Sequence, residues 1–283
     1  MIQPVPCRAA GLGPSDPRDI GVTQTTLLLQ PGDPAPFGVE NADGPSPILF
    51  VSDHAGRAIP LRLGTLGLDE AERARHISYD IGIYGVTTAL AREMGAEYIF
   101  QPYSRLVIDC NRRPGLPQSV PLRSDGTVVP GNADLTEAAR RAREVEILAP
   151  YQDQIDRTLR HRKAAGRPVA LFAMHSCTDR LRSDPRPRPW QISVIAHRDW
   201  RLGTVLVDIL RQGTDLNVGV NEPYVVDMAA DYTVPVHAEA TGLPYVEIEI
   251  RQDLIGDAGA QAAWARLLQP LFARAVAVAL AAR

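Results

Sequence analysis

The stretch Val169–Ser176, VALFAMHS, decides how this sequence folds. Its six apolar residues have the length of one buried strand, and the run ends in the polar pair His175 and Ser176. A short continuous apolar run is typical of a strand that is covered on both faces. This run therefore predicts a strand inside a sheet with helices on both sides, and it places a histidine where that strand ends.

Further strands and helices alternate on either side of this stretch. Strands are predicted over Ile48–Ser52, Glu97–Gln101, Leu106–Asp109, Ile192–Ala196 and Tyr245–Ile250. Helices are predicted over Asp69–Gly95, Leu135–Arg162 (with Val145 on its apolar stripe), Trp200–Gln212, Val234–Thr241 and Ala260–Arg283, the last kinked or broken at Pro270. Such alternation predicts the α/β class, here a single three-layer α/β/α domain with a mixed sheet. We expect it to occupy residues 31–283, after a loosely structured tail over residues 1–30.

Composition excludes several classes of protein. The chain has 30 basic and 33 acidic residues, a net charge of −3, so bulk charge does not favour nucleic acid as a partner. Three widely spaced cysteines form neither a disulfide framework nor a metal-binding pair, which favours a reducing compartment. No apolar run reaches the roughly 18 residues of a membrane span. We therefore expect a cytoplasmic protein with a small-molecule partner and no membrane partner.

Three histidines follow predicted strands: His54, His175 and His197. Sites in open α/β sheets gather beyond the carboxyl ends of strands. One such histidine is more often structural, but three favour a metal site, because neutral imidazole is the commonest metal ligand. His76 and Asp80 would share a helix face at i and i+4, which fits a surface pair and a metal site equally well.

A dense polar cluster closes the predicted strand that ends at Asp109. Asn111 and Arg112 follow it and offer a planar set of donors, which suits a substrate carboxylate or a developing oxyanion. We expect Asp109 itself to form a structural bridge with an arginine. Loop residues 114–134, rich in Gly and Pro, are expected to shape the binding pocket.

The strand Tyr245–Arg251 alternates with a strict period of two. Glu247, Glu249 and Arg251 lie on one face, and apolar residues lie on the other. Carboxylates on an inner strand are costly to bury without a partner. Either the strand lies at an edge of the sheet, or a carboxylate serves as a general base or a metal ligand. Tyr245, Ile248 and Ile250 are typical of a core strand and favour the second.

Six segments, in chain order, together carry a resemblance to a known family: SDHAGRAIP (52–60), HISYDIG (76–82), YSRLVIDCNRRPG (103–115), MHS (174–176), NEPY (221–224) and GLPYVEIEIRQDLI (242–255). They resemble the N-formylglutamate amidohydrolase family. The resemblance implies a phosphorylase/hydrolase-like fold, one Zn²⁺ per chain, and hydrolysis of N-formyl-L-glutamate to formate and L-glutamate in histidine degradation.

The same resemblance, extended to zinc carboxypeptidases and aspartoacylases, implies that His54 and His175 bind zinc. Those relatives have a His-x-x-Glu motif, whereas Arg57 stands at its last position here. The carboxylate ligand must then lie elsewhere. Asp80 is our prediction, and Asp53 is the alternative.

The resemblance also implies the remaining roles. Glu249 is expected to be the general base, with Glu247 as the alternative, and Arg112 is expected to stabilise the oxyanion. The residues expected to bind the substrate carboxylates are Arg105, Asn111, Arg112 and Arg251. Two other readings remain: a deacylase or carboxypeptidase-like enzyme for another N-acyl amino acid or peptide, and a non-catalytic ligand-binding α/β domain. The sequence does not predict an oligomeric state.

Overall fold

The computed structural model describes residues 27–281, and within them seven strands form one sheet. With the two strands β4 and β5, which lie outside this sheet, the strands of the described residues are β1 Gly38–Glu40, β2 Ile48–Ser52, β3 Glu97–Phe100, β4 Arg123–Ser124, β5 Thr127–Val128, β6 Ala170–Cys177, β7 Ile192–Ile195, β8 Val218–Val220 and β9 Tyr245–Arg251. The α-helices are α1 Glu70–Arg73, α2 Ile83–Met94, α3 Glu137–Arg143, α4 Ala149–Ala164, α5 Arg201–Gly213 and α6 Ala258–Ala281. Most of the predicted tail over residues 1–30 lies outside the described residues.

The sheet is mixed, with the order β1-β3-β2-β6-β9-β7-β8. The four inner strands β3, β2, β6 and β9 run parallel to one another, while β1 and β7 are antiparallel to their inner neighbours. Strands β4 and β5 form a separate hairpin within the predicted loop 114–134. Because the carboxyl ends of the four parallel strands meet at one edge, side chains that follow them are brought together there.

Alternate side chains of each inner strand enter two different cores. On β2 and β6, Phe50 and Phe172 face the helices α2, α5 and α6, whereas Leu49 and Leu171 face the other side of the sheet, where α4 packs. The sheet is thus covered on both faces. This confirms the predicted α/β/α fold, and it explains why the central strands are apolar throughout.

One predicted strand is wrong, and one predicted helix is confirmed with a different start and with one residue of its stripe misplaced. Leu106–Asp109 forms a turn rather than a strand, because the Val107 and Leu106 amides donate to the Ser104 carbonyl and hydroxyl oxygens at 2.9 and 3.1 Å. The predicted helix Leu135–Arg162 begins at Glu137 and contains a π-helical segment, Glu144–Leu148. That segment shifts the phase of the helix, so Val145 is 48% exposed instead of buried.

Helix α6 is continuous through Pro270. By length and composition alone it is apolar enough to cross a membrane, but a helix that packs in a protein core has the same properties. Its buried side chains, Trp264, Leu268 and Phe272 among them, pack in one core with those of α2 and α5. Core packing therefore accounts for the apolar residues on this face of the helix.

Candidate metal centre

A cavity of about 510 Å³ opens at the edge where the parallel strands end. His54 follows β2, His175 lies near the end of β6, and Glu247 and Glu249 lie on β9; all four line the cavity. The period-two prediction for β9 is confirmed, since its alternate residues Val246, Ile248 and Ile250 enter the core with α2 and α6. The strand ends thus bring together side chains that are far apart in sequence.

His54, Asp80 and His175 form a buried cluster in the wall of this cavity. Asp80 Oδ2 lies 3.5 Å from His54 Nδ1 and 2.9 Å from His175 Nδ1. Around a tetrahedral zinc, with ligand distances of roughly 2.1 Å, neighbouring ligand atoms would be about 3.4 Å apart. The two distances from Asp80 lie on either side of this value, and all three ligand atoms lie within 4.8 Å of one another, close enough for one ion to contact them all.

Each imidazole of the cluster faces a second carboxylate with its other nitrogen. His54 Nε2 donates to Asp109 Oδ1 at 2.8 Å, and His175 Nε2 lies 3.5 Å from Asp53 Oδ2. A histidine whose Nε2 carries the proton keeps a lone pair on Nδ1, and metal-binding histidines almost always have such an outer partner. His54 Nδ1 and Asp53 Oδ2 have no hydrogen-bond partner although they are buried. The donor set fits a metal ion, which these three residues can hold.

Both glutamates of β9 lie in an environment that disfavours their charged form. Burial raises the pKa of Glu247 and raises that of Glu249 to about 8, although the nearby His175 lowers both. In addition, Glu249 Oε2 is buried without a hydrogen-bond partner. In the sheet register Glu249 lies directly beside His175, whereas Glu247 lies beside Ala173, farther from the carboxyl edge. Glu249 is therefore placed next to the cluster.

The predicted substrate-binding residues Arg105, Asn111 and Arg112 line the same cavity. Arg105 donates to Asp109 Oδ2 through Nε and Nη2, at 3.1 and 2.7 Å, which is the kind of bridge expected for Asp109. Arg112 forms an ion pair with Asp231. Both side chains are 28% exposed, so their free donors can reach a ligand.

The Asn111 side chain has a structural task that its sequence context did not reveal. Its Oδ1 accepts hydrogen bonds from the backbone amides of Tyr232 and Thr233, at 3.3 and 3.1 Å. These bonds fasten the loop before Val234 to the floor of the cavity. Only the amide nitrogen of Asn111 is then left for a substrate.

Two residues singled out in the sequence, Arg251 and His197, lie elsewhere. Arg251 binds Asp253 through its guanidinium group and does not line the cavity. His197 follows β7, which runs antiparallel to β9, so it lies at the opposite edge of the sheet and is exposed. Residues 74–80 form turns rather than a helix, so the predicted shared helix face of His76 and Asp80 is wrong. His76 nevertheless lines the cavity.

Sequence reasoning missed several residues of the cavity wall. Tyr224, Asp227 and Asp231 come from the loop after β8. Tyr224 belongs to the NEPY segment, which contributed to the family resemblance but was given no role of its own. The guanidinium carbon of Arg188 lies over its ring, 4.9 Å from the ring centroid. Nothing in the local pattern distinguishes Asp231 from a surface aspartate.

Gly82 fixes the turn that presents Asp80. Its φ is +81°, and an added Cβ would lie 2.1 Å from the Ile255 carbonyl oxygen. We expect Gly82→Ala to lower the free energy of unfolding by more than about 2 kcal/mol, since the left-handed conformation alone costs roughly 1–2 kcal/mol and the backbone clash adds to it. Chemical denaturation measures this change.

Gly242→Ala is the matched control for this prediction. Gly242 also has a positive φ, +67°, but no atom lies within 4 Å of its added Cβ. This variant should lose only the conformational term of about 1–2 kcal/mol. Equal losses in the two variants would show that the contact with Ile255 does not constrain the turn.

The comparisons with known proteins agree with this geometry. Residues 46–256 match the family described as N-formylglutamate amidohydrolase. A gene product of Agrobacterium tumefaciens is 36% identical, with a TM-score of 0.84 over 88% of this chain and 98% of that chain. The N-formylglutamate amidohydrolase from Ralstonia eutropha has the same fold, with 22% identity and a TM-score of 0.64 over 87% of this chain and 98% of that chain. No curated protein gives a significant match. The chain belongs to the N-formylglutamate amidohydrolase family and is a hydrolase that acts on amides.

Proposed function

We propose that this protein is a zinc-dependent enzyme that hydrolyses N-formyl-L-glutamate to formate and L-glutamate. One observation carries the proposal: the buried cluster of His54, Asp80 and His175 lies beside Glu249 in a cavity that two arginines also line. The name of the Ralstonia eutropha protein supports the choice of substrate. We keep the cytoplasm and histidine degradation as the expected setting.

Zinc is the metal that best suits this donor set. Two imidazoles and one carboxylate are the three protein ligands of several catalytic zinc sites, in which the fourth position stays open. A bound zinc ion supplies a Lewis acid that polarises an amide carbonyl and lowers the pKa of water. Asp109 and Asp53 would hold the two imidazoles in the ligating tautomer.

The protein's own groups then bind the substrate and move the proton. Glu249 accepts a proton from the attacking water and delivers it to the leaving amide nitrogen, so that glutamate departs as an amine. Arg112 binds a substrate carboxylate or the developing oxyanion through the donors that Asp231 leaves free. Arg105 and the amide nitrogen of Asn111 complete the binding of the carboxylates.

The direct test is metal content together with the release of formate. We expect about one zinc per chain, loss of hydrolysis on chelation, and recovery when zinc is added back. N-formyl-L-glutamate should exceed N-acetyl-L-glutamate in kcat/KM by about 10- to 200-fold, the usual effect of one extra carbon in a closed pocket. The His175→Ala variant should lose both metal and activity.

The matched control is His197→Ala, because His197 follows a strand but lies at the opposite edge of the sheet. It should keep its zinc and its activity. If the enzyme prefers another N-acyl amino acid, the proposed substrate is wrong but the proposed zinc-dependent amide hydrolysis stands. A protein that binds no zinc and hydrolyses none of these amides would favour the non-catalytic binding domain.

A further inference from the structure

We propose that Thr233 is a positioning residue for the metal ligand His175, acting through Asp53, and that Gln152 and His237 fix the direction of its hydroxyl group. This inference rests on the proposed function, because it takes His175 as a ligand. It assigns a role to three residues that the sequence did not connect with the site.

The contacts form a continuous buried chain. Thr233, Asp53 and Gln152 are each at most 3% exposed. Thr233 Oγ1 donates to Asp53 Oδ1 at 2.6 Å, and the other oxygen of Asp53 lies 3.5 Å from His175 Nε2. The Thr233 backbone is itself held by Asn111 Oδ1. The hydroxyl therefore holds Oδ1 of Asp53, so that Oδ2 faces the imidazole of His175.

The direction of every hydrogen bond in this chain is determined. Gln152 Nε2 donates to the Cys110 carbonyl oxygen at 2.7 Å, and a carbonyl can only accept, so this atom is the amide nitrogen. The same nitrogen lies 2.9 Å from Thr233 Oγ1, which accepts from it and keeps its single hydrogen for Asp53. Gln152 Oε1 then accepts from His237 Nε2 at 2.7 Å. From His237 through Gln152 and Thr233, each residue therefore donates a hydrogen to the next one toward Asp53.

A polarised chain of this kind suits the task of orienting a ligand. Asp53 Oδ2 lies 3.5 Å from His175 Nε2, and a proton that this carboxylate holds on Nε2 leaves the lone pair of His175 on Nδ1, the atom that faces Asp80.

The two metal-binding histidines are thus supported by different means. Asp109, the partner of His54, is anchored by two bonds from the charged Arg105. Asp53, the partner of His175, is anchored by a neutral hydroxyl instead. Because the hydroxyl is neutral, it does not cancel the negative charge of Asp53, which therefore favours a cation at that side of the site.

The test is the zinc dissociation constant of Thr233→Val, measured by competition with a chelator. Valine keeps the shape of threonine but can neither donate to Asp53 nor accept from Gln152. We expect the constant to rise about 10- to 100-fold, as for the loss of other outer partners of metal ligands. Thr233→Ser, which restores the hydroxyl, should return it to near the wild-type value.

Thr158→Val is a matched control with the same arrangement elsewhere in the fold. Thr158 Oγ1 accepts from Gln154 Nε2 at 3.3 Å and donates to the buried Glu97 at 3.1 Å. This variant should lose stability, measured on the metal-free protein, without a change in zinc affinity. If Thr233→Val fails to fold, Gln152→Met removes the orienting donor and should also weaken zinc binding.

Two outcomes separate the inference from the proposed function. Wild-type zinc affinity in both Thr233→Val and Gln152→Met would overturn the inference and leave the proposed metal site intact. A wild-type protein that binds no zinc would overturn both. Weaker zinc binding in Thr233→Val, unchanged binding in Thr158→Val and recovery in Thr233→Ser would establish the positioning role.

Discussion

An Asp80→Ala variant is expected to lose its zinc and, with it, all measurable amide hydrolysis. Asp80 Oδ2 lies between the Nδ1 atoms of His54 and His175, so alanine leaves only two ligands. Structural zinc sites bind with about 10–16 kcal/mol, so one of three or four ligands contributes about 3–5 kcal/mol, equivalent to a loss in affinity of at least about 100-fold. Metal analysis after dialysis and the rate of formate release measure the two losses.

Asp53→Ala is the comparison that separates the two candidate ligands. Asp53 faces the outer nitrogen of His175 and not the centre of the cluster. We expect it to weaken zinc binding by about 10- to 100-fold while hydrolysis recovers at saturating zinc. If Asp53→Ala loses the metal irrecoverably and Asp80→Ala keeps it, then Asp53 is the metal ligand and Asp80 is not.

The architecture could be predicted because its signals are local. The apolar runs of β2 and β6 and the strict alternation of β9 each identify a strand without knowledge of its neighbours. The direction of a strand in the sheet has no such signal. His197 follows an apolar run just as His54 does, yet β7 is reversed, and only the sheet topology shows that the two histidines lie at opposite edges.

The site could be predicted only in part, for a similar reason. His54, His175 and Glu249 meet because parallel strands end together, and strand ends are visible in the sequence. Asp80 reaches them through turns, where its amide donates to the His54 carbonyl oxygen at 2.9 Å. Spacing alone could not choose between Asp80 and Asp53. Thr233 contributes a single hydroxyl group and lies 180 residues from its partner Asp53 in the sequence, and no sequence pattern predicts such a contact.

Glu249→Gln is expected to keep its zinc and to lose hydrolysis by about 100- to 10,000-fold in kcat, the usual contribution of a positioned acid or base. Glutamine has the size of glutamate but cannot accept the proton of the attacking water. Because Glu249 is not one of the three clustered ligands, metal content should stay at the wild-type value. Formate release by the zinc-loaded variant measures the loss, and KM for N-formyl-L-glutamate should change little.

Glu247→Gln is the matched control, since both glutamates lie on the same face of β9, are buried and have a raised pKa. They differ in register. Glu249 lies beside His175, whereas Glu247 lies beside Ala173, two residues farther from the carboxyl ends of the parallel strands. A proton acceptor must come within hydrogen-bonding reach of the attacking water, so position rather than acidity should decide between them. We expect Glu247→Gln to reduce kcat by less than about 10-fold. A larger loss in Glu247→Gln than in Glu249→Gln would transfer the role of general base to Glu247.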